Sequence, residues 1–141
     1  VVLVGSKKLK TQAKIGPVDS TLDIIAATKA EWVMPSSKFK LRSEIDLYFE
    51  ANEIKGRTAF ESDVGASLSR SVIDEVGIAF LPSLYIFNEL RDKSLYILGP
   101  REGAWKTSVW LGSHNQNRED PLIRSFAQSF KSVCDSAKIM C

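Results

Sequence analysis

The sequence predicts an α/β protein with an open, twisted sheet that helices cover on both faces. Short β-branched runs alternate with helical patterns from one end of the chain to the other. Residues 1–4, Val-Val-Leu-Val, form a continuous apolar run, which is typical of a strand covered on both faces. Because most predicted strands are followed by a helix, we expect neighbouring strands to run parallel and to be joined by right-handed crossovers.

Composition limits the class of protein. A chain of 141 residues that is 44% apolar and 26% charged fits one globular domain, or one domain of a longer protein. The first residues carry no charged leader, and neither a signal peptide nor a membrane-spanning helix is expected. A net charge of +2, from 19 basic and 17 acidic residues, is too small for a domain that binds nucleic acid through its phosphates.

Metal and thiol chemistry is limited by two cysteines and one histidine, too few for a structural zinc site. Cys134 and Cys141 lie seven positions apart in a predicted helix, which puts them beyond disulfide reach. We therefore expect free thiols in a reducing, cytoplasmic compartment. His114 is expected to lie exposed in a loop, and no metal or cofactor is expected.

Catalytic motifs are missing from the sequence. It contains no nucleophile elbow, phosphate-binding glycine loop, dinucleotide-binding glycine motif or zinc-protease helix motif. Glu61 and Asp63 are two positions apart at a strand end, where their side chains would point in different directions. The sequence therefore predicts that the protein is not an enzyme.

The first third of the chain contains two predicted strands. A strand over residues 1–4 is followed by a loop rich in lysine and by a helix over residues 21–30. Asp19, Ser20 or Thr21 is expected to cap that helix. A second strand over residues 31–35 ends at proline, because proline has no amide hydrogen to donate to a strand ladder.

Two helices follow, each after a short strand. Ser36 or Ser37 is expected to cap a helix with Leu41, Ile45, Tyr48 and Phe49 on one face. A strand over residues 58–61 then leads to a helix capped by Ser62 or Asp63. Apolar side chains recur every four positions in that helix: Val64, Leu68, Val72 and Val76.

The last part of the chain ends in the best-marked helix. Strands are predicted over residues 78–81, 94–98 and 107–111, and a helix over residues 84–90. Asp120 and Pro121 then satisfy the rules for the cap and the first helical position. The helix they open has the apolar stripe Leu122, Ile123, Phe126, Ala127, Phe130, Val133, Cys134 and Ala137.

Three strand-to-helix junctions carry hydroxyl groups. They lie at residues 34–37, 60–63 and 81–83. Helix capping is sufficient to explain any single serine among them. If the strands are parallel, however, the three junctions meet at one edge of the sheet, where free amides and hydroxyls bind small polar solutes without catalysis.

Four stretches, in their order and spacing, resemble the effector-binding region of LysR-type transcriptional regulators. They are V-V-L-V-G-S at the start, W-V-M-P-S-S-x-x-x-L-R, G-I-A-F-L-P, and V-W-L-G-S followed by D-P-L-I-R-S-F. The resemblance spans nearly the whole chain. Within the family, residues 82–93 resemble the NhaR-like subgroup, the sodium-responsive activators of the sodium/proton antiporter gene. Residues 74–77, Asp-Glu-Val-Gly, depart from the glycine-rich turn of many members.

The resemblance implies a type 2 periplasmic-binding-protein-like fold, in which two Rossmann-like subdomains hold an effector in the cleft between them. Residues 1–100 would then form the second subdomain with the first crossing strand. Residues 101–141 would supply the return strand and the last helix of the first subdomain. Carried over by position, the effector-binding residues would be Pro35, Ser36, Ser37, Phe60, Ser62, Asp63, Gly77 and Ile78.

The implied function is effector sensing and oligomerisation for a LysR-type regulator. The effector would be a small molecule or an ion, the partner a second copy of the chain in a homodimer or tetramer, and DNA would be bound through a separate winged helix-turn-helix domain. The alternative is an extracytoplasmic solute-binding protein, which shares the two-lobe plan. Since the last helix would lack its usual subdomain here, we also predict self-association through Phe126 and Phe130.

Overall fold

Strands and helices alternate through most of the described chain, as the hydrophobic pattern predicts. A computed structural model describes residues 1–12, 20–108, 110–114 and 119–140. Its elements, in chain order, are β1 (Val2–Gly5), α1 (Lys7–Gln12), α2 (Thr21–Thr28), β2 (Trp32–Pro35), α3 (Lys40–Ala51), β3 (Thr58–Ser62), α4 (Gly65–Ile73), β4 (Ala79–Leu81), α5 (Phe87–Arg91), β5 (Tyr96–Ile97) and α6 (Pro121–Met140). No helix among these residues is long and apolar enough to cross a membrane.

The sheet is mixed, so the expectation that all strands run the same way is wrong for β1. β1 lies antiparallel to both β4 and β5, with Leu3 opposite Phe80 in the β4 pairing. β2 and β3 pair in parallel. A parallel bridge joins Trp32 of β2 to Ile78, just before β4. The spatial order is therefore β3-β2-β4-β1-β5, with β1 reversed against the other four described strands.

The direction of β1 has no signature in its sequence. All four residues of β1 are buried, and a strand covered on both faces shows the same continuous apolar pattern whichever way it runs. β2, β3 and β4 do run the same way, so their carboxyl ends lie at one edge of the sheet, as expected.

Helices cover both faces of the sheet, which confirms that part of the prediction. Neighbouring residues of β1 point to opposite faces, with Val2 and Val4 in one core cluster and Leu3 in the other. The first cluster includes Leu68 and Val72 of α4, and the second includes Ile24 of α2 and Ile45 of α3. The second also holds an aromatic group in which the rings of Phe80 and Trp105 lie 4.9 Å apart.

The lysine-rich segment after β1 forms a helix, α1, where a loop was expected. Ser6 begins it: its hydroxyl accepts a hydrogen bond from the amide of Leu9 at 3.3 Å, and its carbonyl accepts one from the amide of Lys10. Leu9 packs against the second core cluster. Ser6 and Leu9, together with an ion pair between Lys8 and Glu75 at 2.8 Å, therefore hold a helix that the lysine-rich sequence did not indicate. Asp19 and Cys141, for which the sequence predicts a helix cap and a free thiol, lie outside the described residues.

Two of the four predicted helix caps are confirmed. Ser20 accepts a hydrogen bond from the amide of Asp23 at the start of α2. Asp120 accepts one from the amide of Leu122 at 2.8 Å, with Pro121 as the first residue of α6. The expected caps of α3 and α4 are wrong, because turns separate the junction serines from the helices and leave Phe39 and Val64 as N-cap residues without a side-chain bond.

The predicted strand over residues 107–111 is not formed in its described part. Residues 107, 108, 110 and 111 lie outside any strand, and residue 109 is outside the described residues. A strand requires a ladder partner, and the segment is held through side chains instead: Trp105 and Thr107 both donate to Glu44 of α3. Upstream, the amide of Ala104 donates to the carbonyl of Val1 at 2.9 Å, so this segment runs beside the start of β1.

Much of the apolar stripe of the final helix, α6, is exposed to solvent. Leu122 is 79% exposed, Phe126 60% and Val133 62%. The rings of Phe126 and Phe130 stack at a centroid distance of 6.3 Å. The predicted stripe is therefore present on α6, and much of it faces solvent.

Candidate functional site

A cavity of about 450 Å³ lies at the edge of the sheet where β2, β3 and β4 end. Pro35, Ser62 and Leu81, the last residues of those strands, all line it. Its size is within the range of pockets that hold small molecules. The convergence of strand ends therefore produces a concave site at the edge that the sequence singled out.

The walls of the cavity are mainly apolar, with polar groups at a few positions. The apolar side chains come from α3, α4, the end of β4 and the start of α5: Leu41, Leu68, Leu81, Pro82, Tyr85 and Ile86. The charged groups are Lys40, Glu44, Asp63 and Glu89. Thr107 and Ser108 close one side from the segment that follows β5. An apolar wall with few polar groups is the usual composition of a small-molecule pocket.

Arg42 holds the ends of β2 and β3 against α3. Its Nη1 donates to the carbonyl of Pro35 at 3.1 Å and to the carboxylate of Glu61 at 2.9 Å, and its Nε donates to Asp46 at 2.9 Å. Burial alone would lower the pKa of Arg42, but the hydrogen bonds to the two carboxylates raise the pKa above its ordinary value. Arg42 therefore stays charged and fixes the rim of the cavity.

Glu44 ties the segment after β5 to the wall of the cavity. Its carboxylate accepts hydrogen bonds from the indole nitrogen of Trp105 at 3.0 Å and from the hydroxyl of Thr107 at 3.1 Å. The ammonium of Lys40 lies 3.5 Å away. Burial alone would raise the pKa of Glu44, but the bonds from Trp105, Thr107 and Lys40 outweigh burial and lower it. Glu44 is thus an ionised carboxylate with a hydrogen-bond donor on each of its two oxygens.

The other two carboxylates at the cavity, those of Glu89 and Asp63, have fewer hydrogen-bond and ion-pair partners among the described residues than Glu44. The hydroxyl of Ser69 lies 3.4 Å from Glu89 and 3.2 Å from the carbonyl of Ala66. Glu89 is half-buried, and Asp63 is exposed at the rim. Neither forms an ion pair with any described residue.

The structure brings three of the eight predicted site residues to the cavity wall: Pro35, Ser62 and Asp63. Ser36 lies beside them, with its amide donating to the carbonyl of Ser62 at 2.9 Å. The hydroxyl oxygen of Ser36 is buried and has no hydrogen-bond partner among the described residues. Ser37 is exposed in the following turn and does not line the cavity.

The remaining three predicted residues lie away from the cavity. Phe60 packs against the core cluster that contains α4. Gly77 and Ile78 precede β4, at the opposite end of that strand from the cavity, and Ile78 is fully buried. A Cβ atom on Gly77 would lie 2.3 Å from the carbonyl oxygen of Glu31, so glycine is needed there for the close approach of the β2 backbone. Gly77 and Ile78 therefore do not line this cavity, and the structure gives both residues a packing role.

Several lining residues were not predicted, including Glu44, Ser69, Glu89 and Thr107. They lie within helices or in the segment after β5, and not at strand ends. Helical periodicity can identify a buried face, but it does not indicate which side chains face a cavity. No sequence signal at these four positions would have found them.

A family model for the LysR substrate-binding domain matches residues 19–135 of this chain. The chain belongs to this family. No curated protein sequence matches it. The family confirms the LysR resemblance and the implied type 2 periplasmic-binding-protein-like fold, and it favours the regulator over the extracytoplasmic solute-binding protein.

Solved LysR-family structures share the fold at low sequence identity. The regulatory domain of HypT from Salmonella typhimurium superposes with a TM-score of 0.54 and 15% identity, covering 96% of this chain and 61% of that one. The effector domain of AmpR from Pseudomonas aeruginosa gives 0.54 and 14%, with 99% and 60% covered. DarR from Vibrio fischeri, solved in complex with DNA, gives 0.52 and 21%, with 72% and 32% covered. This LysR-family chain thus spans less than two thirds of each of these structures.

Proposed function

We propose that this chain is the effector-sensing and oligomerisation part of a LysR-type transcriptional regulator. A small effector binds in the cavity at the ends of β2, β3 and β4, and no chemical reaction follows. The observation that carries the proposal is the cavity itself, which lies at the predicted sheet edge of a chain in the LysR substrate-binding family. Its volume and apolar walls suit binding.

The DNA-binding domain and the rest of the first subdomain belong to parts of the regulator outside this sequence. In support, the chain covers 61% of the HypT regulatory domain and 32% of DarR. Residues 1–100 form the second subdomain, and residues 101–141 contribute the return segment and α6 to the first. The open apolar stripe of α6 is consistent with this division, because it is a surface that another subdomain would cover. A regulator of this kind acts in the cytoplasm, where its DNA is.

Effector binding acts through the segment after β5. Thr107 and Ser108 line the cavity, and Thr107 is bonded to Glu44 in its wall. A ligand that contacts both sides favours one position of this segment over others, and so shifts the relative position of the two subdomains. The homo-oligomer passes that shift to the DNA-binding domains.

Blocking the cavity tests the proposal. Gly65 lines the cavity, and a Cβ atom built on it meets nothing within 4 Å outside its own stretch of helix, so a side chain can begin there without a clash and Gly65→Phe adds bulk at the cavity wall. Gly112 is equally open and does not line the cavity, so Gly112→Phe is the matched control. A panel of small metabolites is screened by thermal shift and calorimetry on the complete effector region. Ligands that stabilise the wild type and Gly112→Phe should fail to stabilise Gly65→Phe.

The junction hydroxyls are tested in the same assay by the double variant Ser36→Ala/Ser37→Ala. Since the Ser36 hydroxyl is buried and unpartnered among the described residues, a ligand that reaches it would bind more weakly to the variant. An undiminished response removes these hydroxyls from the site. An undiminished response in Gly65→Phe removes the cavity.

Membership of the NhaR-like subgroup is a narrower proposal, and it is supported by residues 82–93 alone. Pro82, Tyr85, Ile86 and Glu89 from this stretch line the cavity. A sodium effector predicts that sodium chloride raises the melting temperature more than potassium chloride at equal ionic strength. Equal shifts with the two salts would remove the subgroup assignment and leave the regulator proposal intact.

A further inference from the structure

We propose that the effector cavity binds a small organic cation, a molecule with an apolar body and an ammonium group that Glu89 and Asp63 bind. The inference rests on the proposed function, since it names the class of ligand for the same cavity. It is carried by the balance of charged groups along the wall and by how each of them is already engaged.

The wall carries more negative than positive charge. Lys40 is the one cationic side chain among the described residues that line the cavity, against the carboxylates of Glu44, Asp63 and Glu89. Lys40 lies 3.5 Å from Glu44, and 75% of its side chain is exposed to solvent. Its charge is therefore partly compensated and well hydrated.

Glu44 is less available to a ligand, because Trp105 and Thr107 already donate to its two oxygens and Lys40 lies 3.5 Å away. Arg42, the nearby guanidinium on α3, does not line the cavity and is engaged by Asp46 and Glu61. Glu89 and Asp63 are left without a counter-ion among the described residues.

Glu89 is the stronger of the two positions. It is half-buried beside the apolar walls, and its carboxylate accepts a long hydrogen bond of 3.4 Å from the hydroxyl of Ser69. A carboxylate in a partly dehydrated setting attracts a cation more strongly than one in bulk water, and it repels an anion by the same argument. An acidic effector would have to be desolvated next to this uncompensated charge.

The start of α4 is the feature that would favour an anion instead. Gly65, the first residue of α4, lines the cavity, and a helix N-terminus carries about half a positive elementary charge. Asp63, however, lies two residues before Gly65 and carries a full negative charge. The carboxylate therefore offsets the helix dipole at this part of the wall.

The apolar walls define the rest of the ligand. Leu41, Leu68, Pro82 and Ile86 offer aliphatic surface on several sides of a cavity of about 450 Å³. A bare metal ion would leave this surface without a contact, whereas an aryl or alkyl group would cover it. The ligand class of this cavity is thus an amphiphilic ammonium and not an inorganic cation. A sodium effector in the same cavity and this inference therefore exclude each other, and the sodium chloride arm of the test decides between them.

The test compares three probes of similar shape on the 141-residue chain, by thermal shift and calorimetry. They are 2-phenylethylammonium, neutral 2-phenylethanol and 3-phenylpropionate, with sodium chloride as a fourth arm. We expect the ammonium to raise the melting temperature, the alcohol to raise it less, and the carboxylate and the salt to leave it unchanged.

Two variants assign the charge. Glu89→Gln keeps an oxygen acceptor for Ser69 but removes the charge, and it should weaken binding of the ammonium about tenfold while binding of the alcohol is unchanged. Asp63→Asn should weaken it less, because Asp63 is exposed. Glu50→Gln, on an exposed part of α3 away from the cavity, is the matched control.

The inference is overturned if 3-phenylpropionate binds as well as the ammonium, if sodium chloride gives the same shift, if no probe binds, or if Glu89→Gln binds the ammonium unchanged. The proposed function is judged separately by Gly65→Phe. If 3-phenylpropionate binds to the wild type and not to Gly65→Phe, the proposal of a cationic ligand is wrong, but the cavity remains the effector site.

Discussion

Arg42 and Glu44 lie two positions apart on α3 and point to different parts of the molecule, as residues at that spacing on a helix do. Arg42 reaches the ends of β2 and β3, while Glu44 reaches Trp105 and Thr107 beyond β5. One helix therefore positions both the fixed rim of the cavity and the segment that leads away from it.

Removing the Glu44 carboxylate should weaken the attachment of that segment. Glu44→Ala leaves the indole of Trp105 and the hydroxyl of Thr107 without their acceptor, and charged hydrogen bonds of this kind contribute roughly 1–3 kcal/mol. We expect a fall of about that size in the free energy of unfolding, measured by urea denaturation. Glu50→Ala on the exposed side of α3 should change little, and equal losses in the two variants would contradict this role for Glu44.

The lowered pKa of Glu44 gives this contribution a pH dependence. A carboxyl whose pKa in the folded state is below its ordinary value, 4.5, stabilises the fold above that value, and the contribution is lost as the pH falls through the folded-state pKa. The stability difference between wild type and Glu44→Gln should therefore be full at neutral pH and shrink in acid. Chemical denaturation of both proteins across the acid range measures it, and a constant difference would exclude the effect.

Gly77 is required for the close packing of the backbone between β2 and β4. Gly77→Ala would place its Cβ 2.3 Å from the carbonyl oxygen of Glu31, so the backbone between β2 and β4 would have to move. Overpacking of this kind costs about 1–3 kcal/mol, which we expect as a lower stability to urea. Gly112→Ala, where a Cβ meets nothing, is the control. Unchanged stability in Gly77→Ala would show that the strands tolerate the shift.

At the scale of elements, the sequence located β2, β3 and β4 and the junctions after them. Each strand is a short apolar or β-branched run, and a proline or a polar turn ends it. The sequence did not indicate the direction of β1, because a strand buried on both faces has the same continuous apolar pattern whether it runs parallel or antiparallel to its neighbours. It also missed α1, where Leu9 is the only apolar side chain among lysines and polar residues.

The exposed stripe of α6 predicts self-association of the isolated chain. Leu122, Phe126 and Val133 are largely exposed, and a second copy of the helix offers a complementary apolar face. Light scattering should show dimers or larger species, and Phe126→Ser should shift them toward monomer. Gln128→Ala, an exposed polar position on α6, should not. A monodisperse wild-type monomer whose α6 is protected from hydrogen exchange would contradict the prediction.

At the scale of the whole molecule, the candidate site could be predicted in part. Pro35, Ser62 and Asp63 were found because the ends of parallel strands share one edge, which is a rule of topology. Glu89 and Thr107 reach the cavity only because α5 and the segment after β5 pack back toward that edge. Such packing depends on tertiary contacts that no local pattern in the sequence encodes.

The bond between Ala104 and Val1 has a consequence for the segment that follows β5. Gly103 has a φ of +81° and makes the close approach to the carbonyl of Val1 sterically accessible. The backbone at Ala104 and Trp105 is therefore bonded to the start of β1, a few residues before Thr107, which lines the cavity. If the proposed effector displaces Thr107, this anchored backbone confines the displacement to the residues beyond Ala104 and leaves β1 in place.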